Sequence, residues 1–236
     1  MSRLYSEEAE LYDIAFDWDL SDEAAWLVER LGPECRSVLE PGCGPGRMLA
    51  ALDAHGLEVV GIDTSEAMLR LARARGCEGV RADMTDFDLG RRFDGAVSVV
   101  STTGVLGIAG LGPHLEAMAR HLESGARYLV QQGVFADDAE LWRSEWEAER
   151  GDTKLHIVWE ALDQQRSRSR VAILGGPRTG EVVEEVHVAA YWTVKAWRDV
   201  IAASPFTQVA CYDEEVEVEL DQGGDLLWHE LVSSRD

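Results

Sequence analysis

Apolar positions along the chain change their period several times, and each change marks an element. Leu11, Ile14 and Ala15 recur at helical spacing. Ala24, Ala25, Leu27, Val28 and Leu31 form the stripe of a second helix, which starts at the cap-like Ser21 and stops at Gly32-Pro33. From there short apolar runs alternate with helical patterns. Ser37–Glu40, Leu57–Ile62, Gly79–Ala82, Phe93–Val100 and Ala126–Gln132 read as strands. Arg47–Ala54, Ser65–Arg75 and Pro113–Leu122 read as helices, with Ser65 as an N-cap and Gly76 as a stop. Such alternation with short connections predicts a parallel sheet covered by helices on both faces. After about residue 150 the period becomes two. Leu155–Ala161, Ser167–Leu174 and Glu181–Ala190 are strand-like and are joined by turn-rich pieces such as Gly175-Gly176-Pro177. Thr193–Ala203 is helical, and Thr207–Asp213 and Asp225–Val232 close the pattern as strands. The expected fold is α/β: a doubly wound, mostly parallel seven-stranded sheet with an antiparallel β insertion after the fifth strand. Its expected parts are an N-terminal helical lid (1–31), a ligand-binding core (32–150), the insertion (151–192), and a last helix with a closing hairpin (193–236).

Composition narrows the partners. Across 236 residues, 44 acidic side chains face 22 basic ones, a net charge of −22. A nucleic-acid groove or an anionic membrane needs a basic surface, so neither is expected as the main partner. No apolar run reaches the roughly 18–20 residues of a bilayer span, and the acidic Met1–Glu10 has no signal-peptide core. Cys35, Cys43, Cys77 and Cys211 are scattered without a CxxC, so neither structural zinc nor a disulfide framework is expected, and a reducing cytoplasm fits. The acidic run Asp213–Asp221 reads as a solvated edge.

The most informative stretch is Val38-Leu39-Glu40-Pro41-Gly42-Cys43-Gly44-Pro45-Gly46-Arg47. It joins a strand to a helix, where doubly wound sheets bind their ligands. Its glycines let backbone pass close beneath a ligand, and the helix start supplies free amides. The spacing is GxGxG, not the GxGxxG of a dinucleotide site. The acidic Glu40 suits an ammonium group better than a pyrophosphate. The spacing, with Asp83 further along the chain, weighs against a nicotinamide oxidoreductase.

With these residues in place, the sequence resembles the class I S-adenosylmethionine-dependent methyltransferases. Glu40, Gly42, Cys43, Gly44 and Gly46 fall on that family's glycine-rich turn, which packs under the cofactor's amino-acid and ribose parts. The resemblance implies that Asp63, ending the second strand, takes both ribose hydroxyls. It implies that Thr64 to Leu69, Met68 among them, flank the adenine. It places Asp83 at the adenine amino group, the Met84 amide at the ring, and Val100, ending the fourth strand, near the methionine part. Asp94 reads instead as a structural turn residue. Tyr5 to Asp13 resembles the lid helix of small-molecule members, which would bring Tyr12 to the sulfonium or carboxylate end. The layout after the fifth strand is similar to the branch of sugar-amine and glycine/sarcosine-type enzymes.

The reaction thus implied is methyl transfer from S-adenosylmethionine to the nitrogen or oxygen of a small molecule. A cofactor-binding fold put to another reaction, or to binding alone, is the alternative that fold by itself does not remove. A neutral amine needs no strong base, whereas a phenol or alcohol does. His187 and His156, both in the insertion, are the base candidates; His55, His114 and His121 read as surface residues and His229 as structural. Trp142, Trp146, Trp159, Tyr191 and Trp192 form either an aromatic cage or the packing of the added strands. Asp13, Asp17 and Asp19 have no histidine at ligand spacing, so no metal is expected. A homodimer stays open.

Overall fold

The computed structural model describes residues 2–136, 141–190 and 192–234. Two helices, α1 (Ala9–Ala15) and α2 (Ser21–Leu31), lead into the alternating core. There β1 (Ser37–Pro41), α3 (Arg47–Asp53), β2 (Glu58–Asp63), α4 (Glu66–Ala74), β3 (Glu78–Arg81), β4 (Phe93–Ser98), α5 (Gly107–Arg120) and β5 (Leu122–Phe135) follow in turn. Next come the antiparallel strands β6 (Arg143–Arg150), β7 (Thr153–Asp163), β8 (Arg166–Gly175) and β9 (Val182–Val188). The two-residue β10 (Trp192–Thr193), α6 (Val194–Ala202), β11 (Phe206–Asp213), the two-residue β12 (Val216–Glu217) and β13 (Gly224–Ser233) complete the chain.

The main sheet runs β12-β11-β13-β5-β4-β1-β2-β3, with β10 beside the end of β5. Its seven long strands are parallel except β13, which is antiparallel to both neighbours. All five β1 residues are buried, as expected for a strand covered on both faces. One face carries Leu111, Leu115, Met118 and Trp197 from α5 and α6, and the other Leu27, Leu31, Met48 and Leu49 from α2 and α3. Strand order reverses between β1 and β4, so a crevice opens at their carboxyl ends. Asp94 is structural as expected: it accepts the amides of Arg36 and Ser37 and the Ser37 hydroxyl, each at 2.9 Å, clasping β4 to β1.

The insertion departs from expectation in having four strands rather than three, in the order β6-β7-β8-β9. Arg143–Arg150 reads RSEWEAER, and only Trp146 and Ala148 on it are even half-buried, so its apolar signal is two residues long. Leu155, Ile157, Val171, Ile173 and Val183 from the inner face of this sheet pack on Leu4, Leu11, Ala15 and Phe16, giving lid and insertion a core of their own. Helix α5 also begins earlier than expected and carries Pro113 inside it; the glycines at 107, 110 and 112 had masked its first turns.

Two histidines expected on the surface are buried. His114 donates from Nδ1 to the Met84 carbonyl (2.9 Å) and accepts at Nε2 from the Tyr128 hydroxyl (2.8 Å), which in turn lies 2.7 Å from Ser98 Oγ. Burial pushes its pKa down to about 4, which keeps the ring neutral in this chain. His121 accepts the Leu89 amide and donates to the Ala117 carbonyl. His229 is structural as expected, buried against the Gln132 carbonyl.

Candidate active site

The turn after β1 has all three of its glycines at positive φ: +67° at Gly42, +52° at Gly44 and +76° at Gly46. Their roles differ. A Cβ on Gly46 would strike Ala72 at 2.8 Å, so this glycine lets α3 pack on α4. A Cβ on Gly42 would strike Thr102 at 2.3 Å. A Cβ on Gly44 would meet nothing within 4 Å, because Gly44 faces an open groove. Cys43 contributes backbone only: its amide donates to the Ile62 carbonyl, and its sulfur packs where a Gly61 side chain would otherwise stand.

That groove has a volume of about 560 Å³. Gly42 and Gly44 form its floor; Asp63, Thr64 and Met68 one side; Ala82, Met84 and Val100 the other. Asp63 accepts the Gly44 amide (3.0 Å) and the Ser65 amide (2.7 Å). Burial pushes its pKa up while those amides pull it down. It therefore both stabilises the entry to α4 and presents a carboxylate to the groove. Asp83 is placed differently. It is exposed, it accepts the amide and hydroxyl of Thr85 at 2.9 and 2.7 Å, and it lines neither the groove nor its neighbour. Its neighbours Ala82 and Met84 face the groove instead. Val100 and Ser101 follow β4 in left-handed conformation, φ +54° and +51°, which is rare for a β-branched residue. Gln131 holds this turn, its side chain accepting the Val100 amide (2.7 Å) and its carbonyl the Ser101 amide (3.1 Å).

The roof comes from the two ends of the lid. Glu185 accepts the Ser2 hydroxyl and the amides of Arg3 and Leu4 at 2.7–2.9 Å, and Ser65 Oγ donates to the Tyr5 carbonyl. Tyr5, Tyr12, Val100, Val105, His187 and Val188 then form a wall shared with a second cavity of about 310 Å³. Aromatic rings dominate this second space: Phe16, Trp18, Phe135, Trp142, Trp146 and Trp159 line it beside Tyr12. Phe16 is their hub, 4.5 Å from Tyr12, 5.4 Å from Trp146 and 5.9 Å from Trp159 between ring centroids. Trp192 does not join them; it is buried in the main core against Trp197. Tyr191 lies outside the described residues.

His187 sits on the inner face of β9, stacked 5.1 Å from Trp159, with Nε2 2.6 Å from Ser169 Oγ. Burial lowers its pKa, so the ring is neutral at pH 7. His156 faces the other side of its sheet, paired with Glu145, and lines neither space. Burial pushes the Tyr12 phenol up to about 12, so it is protonated.

Two side chains that flank the glycine turn in sequence carry buried, unpartnered polar atoms, and neither lines the groove itself. Glu40 is 2% exposed and its Oε2 has no hydrogen-bond partner. Burial lifts its pKa to about 8, against the pull of Arg47. Arg47 Nε and Nη1 are likewise buried and unpartnered, and its guanidinium stacks over Phe16 (5.8 Å) and Trp18 (5.3 Å). Orphaned buried polar atoms are rare in native proteins, and each asks for an explanation. An amino-acid moiety supplies one: an ammonium for Glu40 and a carboxylate for Arg47. Sequence reasoning missed Arg47, although a cation in the first turn of a helix opposes the macrodipole and is itself a signal. It also missed Tyr5 and Gln131, whose roles depend on contacts distant in sequence.

Strand order, glycine turn and acidic strand ends together define a Rossmann-like fold with a groove at its switch point. Residues 38–125 match a family described as a methyltransferase domain. Among curated proteins, the chain is 34% identical over 148 residues to a dTDP-3-amino-3,4,6-trideoxy-alpha-D-glucopyranose N,N-dimethyltransferase of Streptomyces venezuelae, covering 58% of this chain and 62% of that one. It is 40% identical over 145 residues to a dTDP-3-amino-3,6-dideoxy-alpha-D-glucopyranose N,N-dimethyltransferase of Streptomyces fradiae, covering 57% and 56%. The chain thus spans about three-fifths of the length of these relatives. Among solved structures, Streptomyces venezuelae DesVI superposes with a TM-score of 0.77 at 24% identity, covering 94% of this chain and 97% of that one. An S-adenosylmethionine-bound amino pentose methyltransferase from Micromonospora echinaspora gives 0.75 at 22%, covering 94% and 96%. Residues 38–125 thus match a methyltransferase domain, and the chain shares the fold of these solved structures.

Proposed function

We propose that this chain binds S-adenosylmethionine in the glycine-floored groove and transfers its methyl group to the amine of a small, sugar-sized acceptor held in the aromatic cavity. The observation that carries the reading is the wall shared by the two spaces at Tyr12, Val100 and His187, across which a donor in one would face an acceptor in the other. Glu40 and Arg47 would hold the cofactor's amino-acid end, Asp63 its ribose, and Met68, Ala82 and Met84 its base. The acceptor class follows the names of the Streptomyces relatives, which are amino-sugar N,N-dimethyltransferases.

Bound there, S-adenosylmethionine would supply an electrophilic methyl for the acceptor nitrogen's lone pair, with its own sulfur as the thioether leaving group. This chain's residues supply position and dryness. Holding reacting atoms about 3–3.5 Å apart in line accounts for much of the rate. The rings of Tyr12, Phe16, Trp146 and Trp159 exclude water, and the clasp of Glu185 on residues 2–4 closes the roof. The proton shed by the acceptor nitrogen passes to solvent or to neutral His187.

Isothermal titration calorimetry and methyl transfer from radiolabelled S-adenosylmethionine to a panel of amino sugars, phenols and alcohols test this reading. Binding together with label transfer to amines is expected; no binding overturns it. In Asp63→Ala the loss of charge-assisted hydrogen bonds of roughly 1.5–3 kcal/mol should weaken cofactor affinity about 10–100-fold. An unchanged affinity would remove Asp63 from the site. His187→Gln should lower kcat on an amine less than about tenfold, with the larger change in KM for the acceptor, since a neutral amine needs no strong base. A loss of about 10²-fold or more in kcat would make His187 an obligatory base and point to a hydroxyl acceptor.

A further inference from the structure

Strand β13 enters the main sheet with a bulge. Gly224 pairs with Val134 and Leu227 with Gln132, so Asp225 and Leu226 together stand opposite Gly133. Bulges beside active sites commonly re-aim a side chain. Gly133 makes this one possible: a Cβ there would lie 2.5 Å from the Asp225 carbonyl oxygen and 3.1 Å from the Phe135 ring. Gly133, Asp225 and Leu226 all line the aromatic cavity. Asp225 is exposed, and its carboxylate has no hydrogen-bond or ion-pair partner among the described residues.

The charges around the cavity are unbalanced in one direction. Arg166 is the one cation among the described lining residues, and it is paired with Asp163 at 2.6 Å. Arg47 stacks on Phe16 and Trp18 and lines neither space, and the methyltransferase reading assigns it to the cofactor's carboxylate. Residues 137–140 read Asp-Asp-Ala-Glu and add no cation to the chain between β5 and β6. Among the described lining residues the unpaired charge is therefore that of Asp225.

We infer that Asp225 is the specificity-determining carboxylate of the acceptor site, and that the acceptor is a phosphate-free small amine that arrives as a cation. The inference rests on the methyltransferase reading and narrows it. A cation is attracted by the rim carboxylate and by the faces of the aromatic rings behind it. A nucleoside-diphosphate tail would bring its negative charges to a rim without a free arginine or lysine among the described lining residues. The dTDP-linked acceptors in the names of the Streptomyces relatives are those proteins' own, and these relatives match only 57–58% of this chain. Asp225 holds the arriving ammonium at the rim; the nitrogen gives up its proton to solvent there before it moves inward, because only the free lone pair attacks.

The test uses the full chain saturated with S-adenosylhomocysteine, titrated calorimetrically with the methyl glycoside of an amino hexose and with the same amino hexose linked to thymidine diphosphate. The glycoside should bind at least about tenfold more tightly. In Asp225→Asn its affinity should fall about 10–100-fold, while S-adenosylhomocysteine affinity stays unchanged. Raising ionic strength should weaken the glycoside in the wild-type chain and not in the variant. Tighter binding of the nucleotide-linked sugar, or a variant with undiminished glycoside affinity, overturns the inference and leaves the transfer reading standing. Failure of the wild-type chain to bind S-adenosylhomocysteine overturns both.

Discussion

Replacing Glu40 by alanine should weaken S-adenosylmethionine binding by roughly 10²–10³-fold. A buried charge that loses its partner costs about 3–5 kcal/mol, and about 1.4 kcal/mol is a factor of ten. Glu40 meets the conditions for that full effect, being 2% exposed with one carboxylate oxygen unpartnered. Its pKa adds a signature that a merely structural residue would lack. In the ligand-free chain burial lifts the carboxyl from 4.5 to about 8, so near pH 7 it is mostly protonated. An ammonium placed beside it favours the ionised form and drives the proton off. Affinity should therefore rise with pH by up to about tenfold per unit and level off above about pH 8. Calorimetry in buffers of different ionisation enthalpy should report about one proton released per ligand at pH 7, and none in Glu40→Gln. The sign for stability is opposite. Because the folded chain holds this proton more tightly than the unfolded chain, Glu40 makes the ligand-free protein less stable as pH rises from 4.5 towards 8. Bound ligand, by keeping the carboxylate ionised, cancels the trend. Full affinity in Glu40→Ala, or no proton release in the wild type, would remove the residue from the cofactor's ammonium.

The parts of this molecule legible in its sequence are those specified locally. A glycine-rich turn between a strand and a helix needs only its own residues, so Gly42, Gly44, Gly46 and the acid before them point to the groove. The core strands are buried on both faces and read as unbroken apolar runs. Strand β6 failed the same reading because most of its own residues are charged and only Trp146 and Ala148 turn inward. His114 was legible in principle: Leu111, His114, Leu115 and Met118 follow the spacing of one helix face, so the histidine lies on the apolar stripe. Counting it as polar concealed that. Asp83 has the right type in the right place, yet two bonds from Thr85 decide where its carboxylate points. The bulge at Asp225 depends on the register of β13 against β5, two strands separated by the whole insertion, and nothing near residue 225 encodes it.

The lid's attachment depends on long-range contacts in the same way, and it carries the second large expected effect. Asp13 is 2% exposed and joins three parts of the chain. Its carboxylate accepts from Arg75 at 2.7 and 2.8 Å and from Arg150 Nη1 at 2.8 Å, while its carbonyl accepts from Arg150 Nη2 at 3.0 Å. Arg75 also donates to the Pro45 carbonyl in the glycine turn, and Arg150 pairs with Asp17. One buried aspartate thus ties α1 to α4, to the cofactor loop and to β6. Asp13→Ala strands two guanidinium groups. Their side chains keep 26% and 40% exposure, so water recovers part of the loss, and about 2–4 kcal/mol of destabilisation is expected rather than the full 3–5. Urea unfolding should show a lower midpoint at an unchanged slope. Asp13→Asn, which keeps the volume and one acceptor oxygen, should lose less. A double-mutant cycle with Arg150→Met should return a coupling of about 1 kcal/mol or more, because the two side chains are in direct contact. If α1 and the insertion sheet instead open as a local unit, the global midpoint will hold while amide exchange in α1 and cofactor release both accelerate. That outcome would make Asp13 a latch of the roof over the groove and not a support of the whole fold.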